Sequence, residues 1–140
     1  MSGNGSKSKV GAVMVVGGGI SGMQAALDLA NSGFKVYIVE ENPSIGGRMA
    51  QLDKTFPTND CSMCMISPKL IEVSKHLNIE IISYADVESV EGEEGNFTVS
   101  VKKRPRYVNQ SICTGCGLCY TNCPVKFQAY IEQEETVKRY

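Results

Sequence analysis

The chain has 140 residues, in which 14 Lys and Arg nearly balance 15 Asp and Glu. That length supports one modest domain with a real core. The charge balance offers no basic field for nucleic acid and no acidic solvating tail, and no apolar run is long enough to span a bilayer. Six cysteines are many for this size. All fall in two tight clusters, and no export signal is evident, so metal or redox use is favoured over a disulfide framework.

Residues 1–9 are rich in Ser, Gly and Lys and lack the apolar core of a signal peptide. They read as a disordered lead-in to a cytoplasmic protein. Val10 to Gly17 follows as a β-branched run ended by glycine, the pattern of a buried strand. Ile20 to Ser32 carries Ile20, Met23, Ala26, Leu27 and Ala30 at helical spacing, with Gly33 as the C-terminal stop. Phe34 to Glu40 is a second buried strand. Strand, tight turn, helix and strand within about 30 residues define a βαβ unit, and hence a parallel sheet.

The turn inside that unit is Gly17-x-Gly19-x-x-Gly22. The first glycine permits the turn, the second lets backbone approach a pyrophosphate, and the third lets helix and strand pack closely. The phosphates would sit on the helix N-terminus, with the N–H groups of Ile20 and Ser21 as donors. Glu40 ends the next strand at the position where a carboxylate receives the ribose hydroxyls of a dinucleotide. An acid there disfavours a 2′-phosphate ligand.

Glu41 to Asp60 contains Pro43, Gly46, Gly47 and Pro57 and reads as a long functional loop. Glu40 to Arg48 resembles the acid-to-Gly-Gly-Arg stretch of the flavoproteins related to glutathione reductase and thioredoxin reductase. In them the Gly-Gly turn approaches FAD. Here Gly47 would permit a second close backbone approach and Arg48 would counter pyrophosphate charge, which favours FAD over NAD.

Cys61 and Cys64 follow the loop. Three readings stay open for them: a redox dithiol beside the flavin ring, ligands to a cluster, or ordinary buried cysteines. Ser67-Pro68 offers an N-cap and a proline at the first helical position, which predicts a helix to about His76. His76 reads as a surface or capping residue. Ile79 to Ser83 is a short strand. Asp86 to Val90 and Phe97 to Lys103 alternate around a glycine-containing turn, so they form a hairpin. Arg104-Pro105-Arg106 marks the expected boundary between a dinucleotide-binding domain over 10–104 and a cysteine segment over 105–140.

That segment carries Cys113-x-x-Cys116-x-x-Cys119-x-x-x-Cys123-Pro124, the bacterial ferredoxin run that holds [4Fe-4S] clusters. In two-cluster ferredoxins the cysteine before proline serves the other cluster, and no second run is present here. The fourth ligand is then Cys123 folding back, Cys61 or Cys64 reaching over, or a residue of another chain. The predicted architecture is α/β: a Rossmann-like FAD/NAD(P)-binding parallel sheet with a hairpin or meander, then a partial ferredoxin-like [4Fe-4S] segment.

Taken together, Gly17 to Gly22, Pro43 to Thr58, Cys61-x-x-Cys64, Gly95 to Val99, Pro105 to Val108 and Cys113 to Gly117 resemble the heterodisulfide reductase A-subunit family of iron–sulfur flavoproteins. The resemblance covers roughly residues 11–125. It implies FAD, [4Fe-4S] clusters and electron transfer to partner subunits. In methanogens the family's complex bifurcates electrons between ferredoxin and the CoM–CoB heterodisulfide. Members run several times longer, with a second nucleotide-binding half and further ferredoxin runs. The expectation is therefore an oxidoreductase component that is inactive as an isolated chain. The alternatives are a truncated, non-catalytic or partner-binding fragment and a dithiol oxidoreductase acting through Cys61 and Cys64.

Overall fold

A computed structural model describes residues 11–124. The lead-in expected over 1–9 and the tail from Val125 to Tyr140 lie outside the described residues. The chain divides into two compact units, Met1–Pro105 and Arg106–Tyr140.

The first unit is built on a three-stranded parallel sheet. Strand β1 (Ala12–Val16) pairs with β2 (Lys35–Glu40) from Ala12–Lys35 to Val16–Val39. On its other side β2 pairs with β5 (Ile79–Ser83) from Val36–Ile79 to Glu40–Ser83. β2 is thus the middle strand and its Val36, Ile38, Val39 and Glu40 are buried. β1 was expected to be buried as well, yet none of its residues is, and Val16 is 67% exposed. Its apolar run is that of an interior strand, but among the described residues it stands at the edge of the sheet.

Helix α1 (Ile20–Asn31) crosses from β1 to β2, and its buried Met23, Ala26, Leu27 and Ala30 recur at helical spacing, as the sequence requires. Helix α2 (Ser62–Lys75) adds Ile66 and Val73 to the same core, against Val36, Ile38 and Ile79 of the sheet. α2 starts five residues before the N-cap read from Ser67-Pro68. Pro68 lies inside the helix, and Cys61 is the N-cap, its sulfur accepting from Cys64 N–H at 3.2 Å. Tertiary anchoring outweighs the proline signal. Ser62 is fully buried, its hydroxyl donates to Met49 O at 2.6 Å, and its N–H donates to Asp53 O at 3.1 Å. His76 is the C-cap of α2 and its Nδ1 accepts from Asn78 N–H at 3.1 Å, the capping role expected for it.

The long loop is ordered rather than featureless. It contains a 3-10 helix (Gly47–Gln51) and a two-residue strand pairing between β3 (Lys54–Thr55) and β4 (Asp60–Cys61). After β5 the chain turns through Tyr84, a non-glycine residue at φ 59°, into the hairpin of β6 (Ala85–Glu93) and β7 (Asn96–Lys103). A register shift between Val87 and Ser89 bends β6.

The second unit curls through Gly115 and Gly117, both at positive φ, into a single helical turn, α3 (Leu118–Thr121). Among the described residues no helix is long and apolar enough to cross a membrane.

Candidate functional site

The C-terminal ends of β1 and β2 carry the first unit's site, and two glycine turns meet there. Gly17 sits at φ 101°, a conformation glycine adopts freely, and its N–H donates to Val39 O at 2.7 Å. A Cβ on Gly22 would run into the carbonyl oxygen of Gly17, so the third glycine is there for close helix–strand packing. A Cβ on Gly19 would meet nothing within 4 Å. That open backbone is the face a phosphate group can approach.

Gly19 is also the N-cap of α1 and supplies no side-chain acceptor, and the first turn holds no acidic residue. Met23 N–H bonds to Gly19 O at 2.9 Å. The N–H groups of Ile20, Ser21 and Gly22 precede that bond and have no intrahelical acceptor. Together with the helix dipole they form an electropositive end.

The second turn packs against the first. Gly46 N–H donates to Gly18 O at 2.8 Å. Gly47, at φ 56°, stands so close that a Cβ would lie 3.1 Å from Gly19 Cα. Gly18, which the sequence motif leaves unconstrained, has no room either, because a Cβ there would lie 2.6 Å from Ile45 Cγ2.

Glu40 ties the two turns together. It is 5% exposed. Its Oε2 accepts from Gly18 N–H at 2.6 Å, while its Oε1 accepts from Asn42 N–H at 2.8 Å and from Asn42 Nδ2 at 2.7 Å. Burial by itself would raise the pKa of this carboxyl, but the hydrogen bonds from Asn42 and Gly18 outweigh it and hold the group below the ordinary glutamate value. A carboxylate has about four acceptor positions. Three are used, which leaves one acceptor position on Oε2 of a residue that lines the neighbouring groove.

That groove has a volume of about 680 Å³ and is bordered by Gly17, Glu40, Gly47, Arg48, Gln51 and Asp86. Arg48 is exposed, and no carboxylate pairs with it among the described residues. The structure therefore brings Gly17, Glu40, Gly47 and Arg48 to one groove, with Gly19 directly against Gly47. Sequence reasoning missed Asn42, Gln51 and the return of β6 at Ala85 to Val87, which also lines the groove. The hairpin itself was legible, but its arrival at the ends of β1 and β2 depends on the turn at Tyr84, for which no local signal exists.

These features fit the adenosine and pyrophosphate part of FAD. They supply a bare backbone cradle, an electropositive helix end, a buried carboxylate with spare acceptor capacity and an unpaired arginine.

Cys61 and Cys64 are bonded to each other, with Cα atoms 5.3 Å apart, and both are exposed. The reading of ordinary buried cysteines is thereby overturned: as the N-cap and first turn of α2 the pair sits on the surface. Cys113, Cys116 and Cys119 are exposed free thiols and Cys123 is half-buried. The Cys116 thiol is held below its ordinary pKa by hydrogen bonds from Leu118 N–H and from the Thr114 side chain, which favours the ligating thiolate. The donor set has the chemistry of a cluster site. Even so, among the described residues no three such side chains are gathered in positions to hold a metal.

A parallel sheet whose glycine turn and terminal carboxylate frame a nucleotide groove, followed by a ferredoxin-type cysteine run, defines the class of flavin and iron–sulfur oxidoreductases. Family models agree. Residues 12–67 match the FAD dependent oxidoreductases and residues 106–127 match the 4Fe-4S binding domain. The P. horikoshii L-proline dehydrogenase superposes with a TM-score of 0.55 at 27% identity, over 67% of this chain and 19% of that one. Lactococcus lactis thioredoxin reductase shares the fold with a TM-score of 0.54 at 20% identity, over 69% and 32% of the two chains.

The chain is 62% identical over 113 residues to the second iron–sulfur A subunit of CoB–CoM heterodisulfide reductase from Methanopyrus kandleri, a match that covers 81% of this chain and 17% of that protein. It is 57% identical to the A subunit of the H2:CoB–CoM heterodisulfide,ferredoxin reductase of Methanothermobacter marburgensis, over 86% of this chain and 18% of the relative. A protein of Archaeoglobus profundus described as like the heterodisulfide reductase A subunit is 55% identical, over 91% of this chain and 18% of its own length. The chain belongs to the heterodisulfide reductase A-subunit family. It spans less than a fifth of the length of these relatives.

Proposed function

We propose that this chain is an electron-transfer module in which the first unit binds the ADP portion of FAD and the second supplies ligands to a [4Fe-4S] cluster. The observation that carries this reading is the buried Glu40 carboxylate, which clamps Gly18 and Asn42 beside the groove that Gly47 and Arg48 also border. In this reading the N–H groups of Ile20 and Ser21 and the open backbone at Gly19 receive the pyrophosphate. Arg48 offsets its charge, and the free acceptor position of Glu40 takes a ribose hydroxyl. Cys113, Cys116, Cys119 and Cys123 are the candidate cluster ligands. FAD, when bound, interconverts two-electron and one-electron traffic. The chain's own residues bind and orient its nucleotide end and position the cysteine run. Cys61 and Cys64 are the candidate redox pair: while bonded to each other they can exchange with a dithiol but cannot act as thiolate ligands. The partners are other electron-transfer subunits of a heterodisulfide reductase-type complex.

Anaerobic reconstitution with FAD, iron and sulfide tests the reading through the visible spectrum. Flavin bands and broad cluster absorbance are expected, and an apoprotein showing neither overturns it. Arg48→Met is expected to weaken ADP binding about tenfold at low ionic strength, because it removes the groove's unpaired cation. Calorimetric titration checks it, and an unchanged affinity would mean that Arg48 is a solvated loop residue.

A further inference from the structure

The groove that the proposed function assigns to a dinucleotide has an electrostatic difficulty, and the fold contains the group that answers it. Three acids border the groove, Glu40, Glu41 and Asp86, against one bordering cation, Arg48. A nucleoside diphosphate brings further negative charge. Arg104, just past the end of β7, meets Asp86 with both prongs of its guanidinium. Nε donates to Asp86 Oδ2 at 2.6 Å and Nη2 to Oδ1 at 2.6 Å. We propose that Arg104 is a positioning residue that masks the acidic wall of the groove, neutralising Asp86 so that an anionic dinucleotide can enter.

The placement of Arg104 is built into the chain path. Its N–H donates to Tyr84 O at 2.8 Å and its guanidinium stands 5.5 Å from the Tyr84 ring centroid. Tyr84 N–H in turn donates to Asn42 O at 2.9 Å, and Asn42 holds the Glu40 carboxylate. A continuous run of hydrogen bonds therefore links Glu40, which lines the groove, to the backbone of Arg104, whose guanidinium holds the groove-lining Asp86. Asp86 dominates at Arg104, through its hydrogen bonds first and its charge second, with smaller contributions from Tyr84 and Glu41. The side chains of the pair are 44% and 35% exposed, so the pair stands open to solvent and salt. The hairpin is already held by a ladder running from Ala85–Lys103 to Glu93–Asn96.

The inference rests on the nucleotide reading, so the test separates the two. ADP is titrated calorimetrically into the full chain at low ionic strength and again at high salt, for the wild type, Arg104→Met, Asp86→Asn and the double variant. Masking predicts that Arg104→Met binds about fivefold more weakly at low salt and that the gap closes at high salt. It also predicts that Asp86→Asn binds at least as tightly as the wild type, and that the double variant recovers to within about twofold of it. If all three variants weaken alike, or if Arg104→Met binds as the wild type does, the masking role is overturned and the groove remains a nucleotide site. If the wild type itself does not bind ADP, both readings fall together.

Discussion

Gly22→Val is expected to abolish nucleotide binding and to destabilise the first unit by about 3 kcal/mol or more. The added Cβ would have to occupy the space of the Gly17 carbonyl oxygen. That oxygen belongs to backbone already fixed by the Gly17 N–H bond to Val39 O at 2.7 Å. Relief would require α1 to move away from β1, and α1 carries Met23, Ala26, Leu27 and Ala30 of the core. Even alanine places its Cβ on the same oxygen, so Gly22→Ala should show most of the effect. Thermal unfolding reads it as a fall in Tm of about 10 °C or more for a unit of this size. A Gly22→Ala protein that melts with the wild type would show that α1 does not pack on the turn as described.

Glu40→Gln is expected to lower stability by about 1–3 kcal/mol at neutral pH and to remove most ADP affinity. A carboxylate accepts on both oxygens. An amide accepts on one and presents its NH2 group either to the N–H of Gly18 or to the donors of Asn42, all of which now point at Glu40. The effect has a pH signature. The folded pKa of Glu40 is depressed, so its stabilisation is fully present above the unfolded value of about 4.3 and is lost as pH falls through the folded value. The stability gap between wild type and Glu40→Gln should therefore be constant from pH 7 down to about 5 and narrow below about 4. Chemical denaturation at stepped pH reads this directly. A gap that widens on acidification would assign Glu40 the opposite shift.

Much of the site was legible because its residues are constrained locally. Gly17 and Gly22 answer to backbone conformation and close approach within one βα turn, and Gly47 to its own positive φ. Glu40 follows from the length of the βαβ unit, since a strand, a 12-residue helix and a second strand return the chain to the same sheet end. The failures share a cause. Ser67-Pro68 carries a local start signal, yet α2 begins at Ser62 because a buried hydroxyl and a fully buried Ile66 anchor the earlier turn. β1 has the composition of a buried strand, and only sheet order shows that β2 takes that place. Asn42, Gly18 and Arg104 matter through partners 2, 22 and 18 residues away. The motif spans the Gly18–Glu40 separation but places no bond between them, and no periodicity or motif joins Arg104 to Asp86.

By itself, then, the sequence determined the βαβ class, the glycine turn with its terminal acid, the Gly-Gly-Arg loop and the ferredoxin-type cysteine run. Each depends on spacing along the backbone or on the chemistry of a residue type. Only the tertiary structure decided that the two glycine turns lock together through Gly46 and Gly18, that Glu40 is their shared acceptor, and that Arg104 meets Asp86 at the groove wall. Those relations arise where the ends of β1, β2 and β6 converge, and convergence is set by packing and chain path rather than by any stretch of residues read alone.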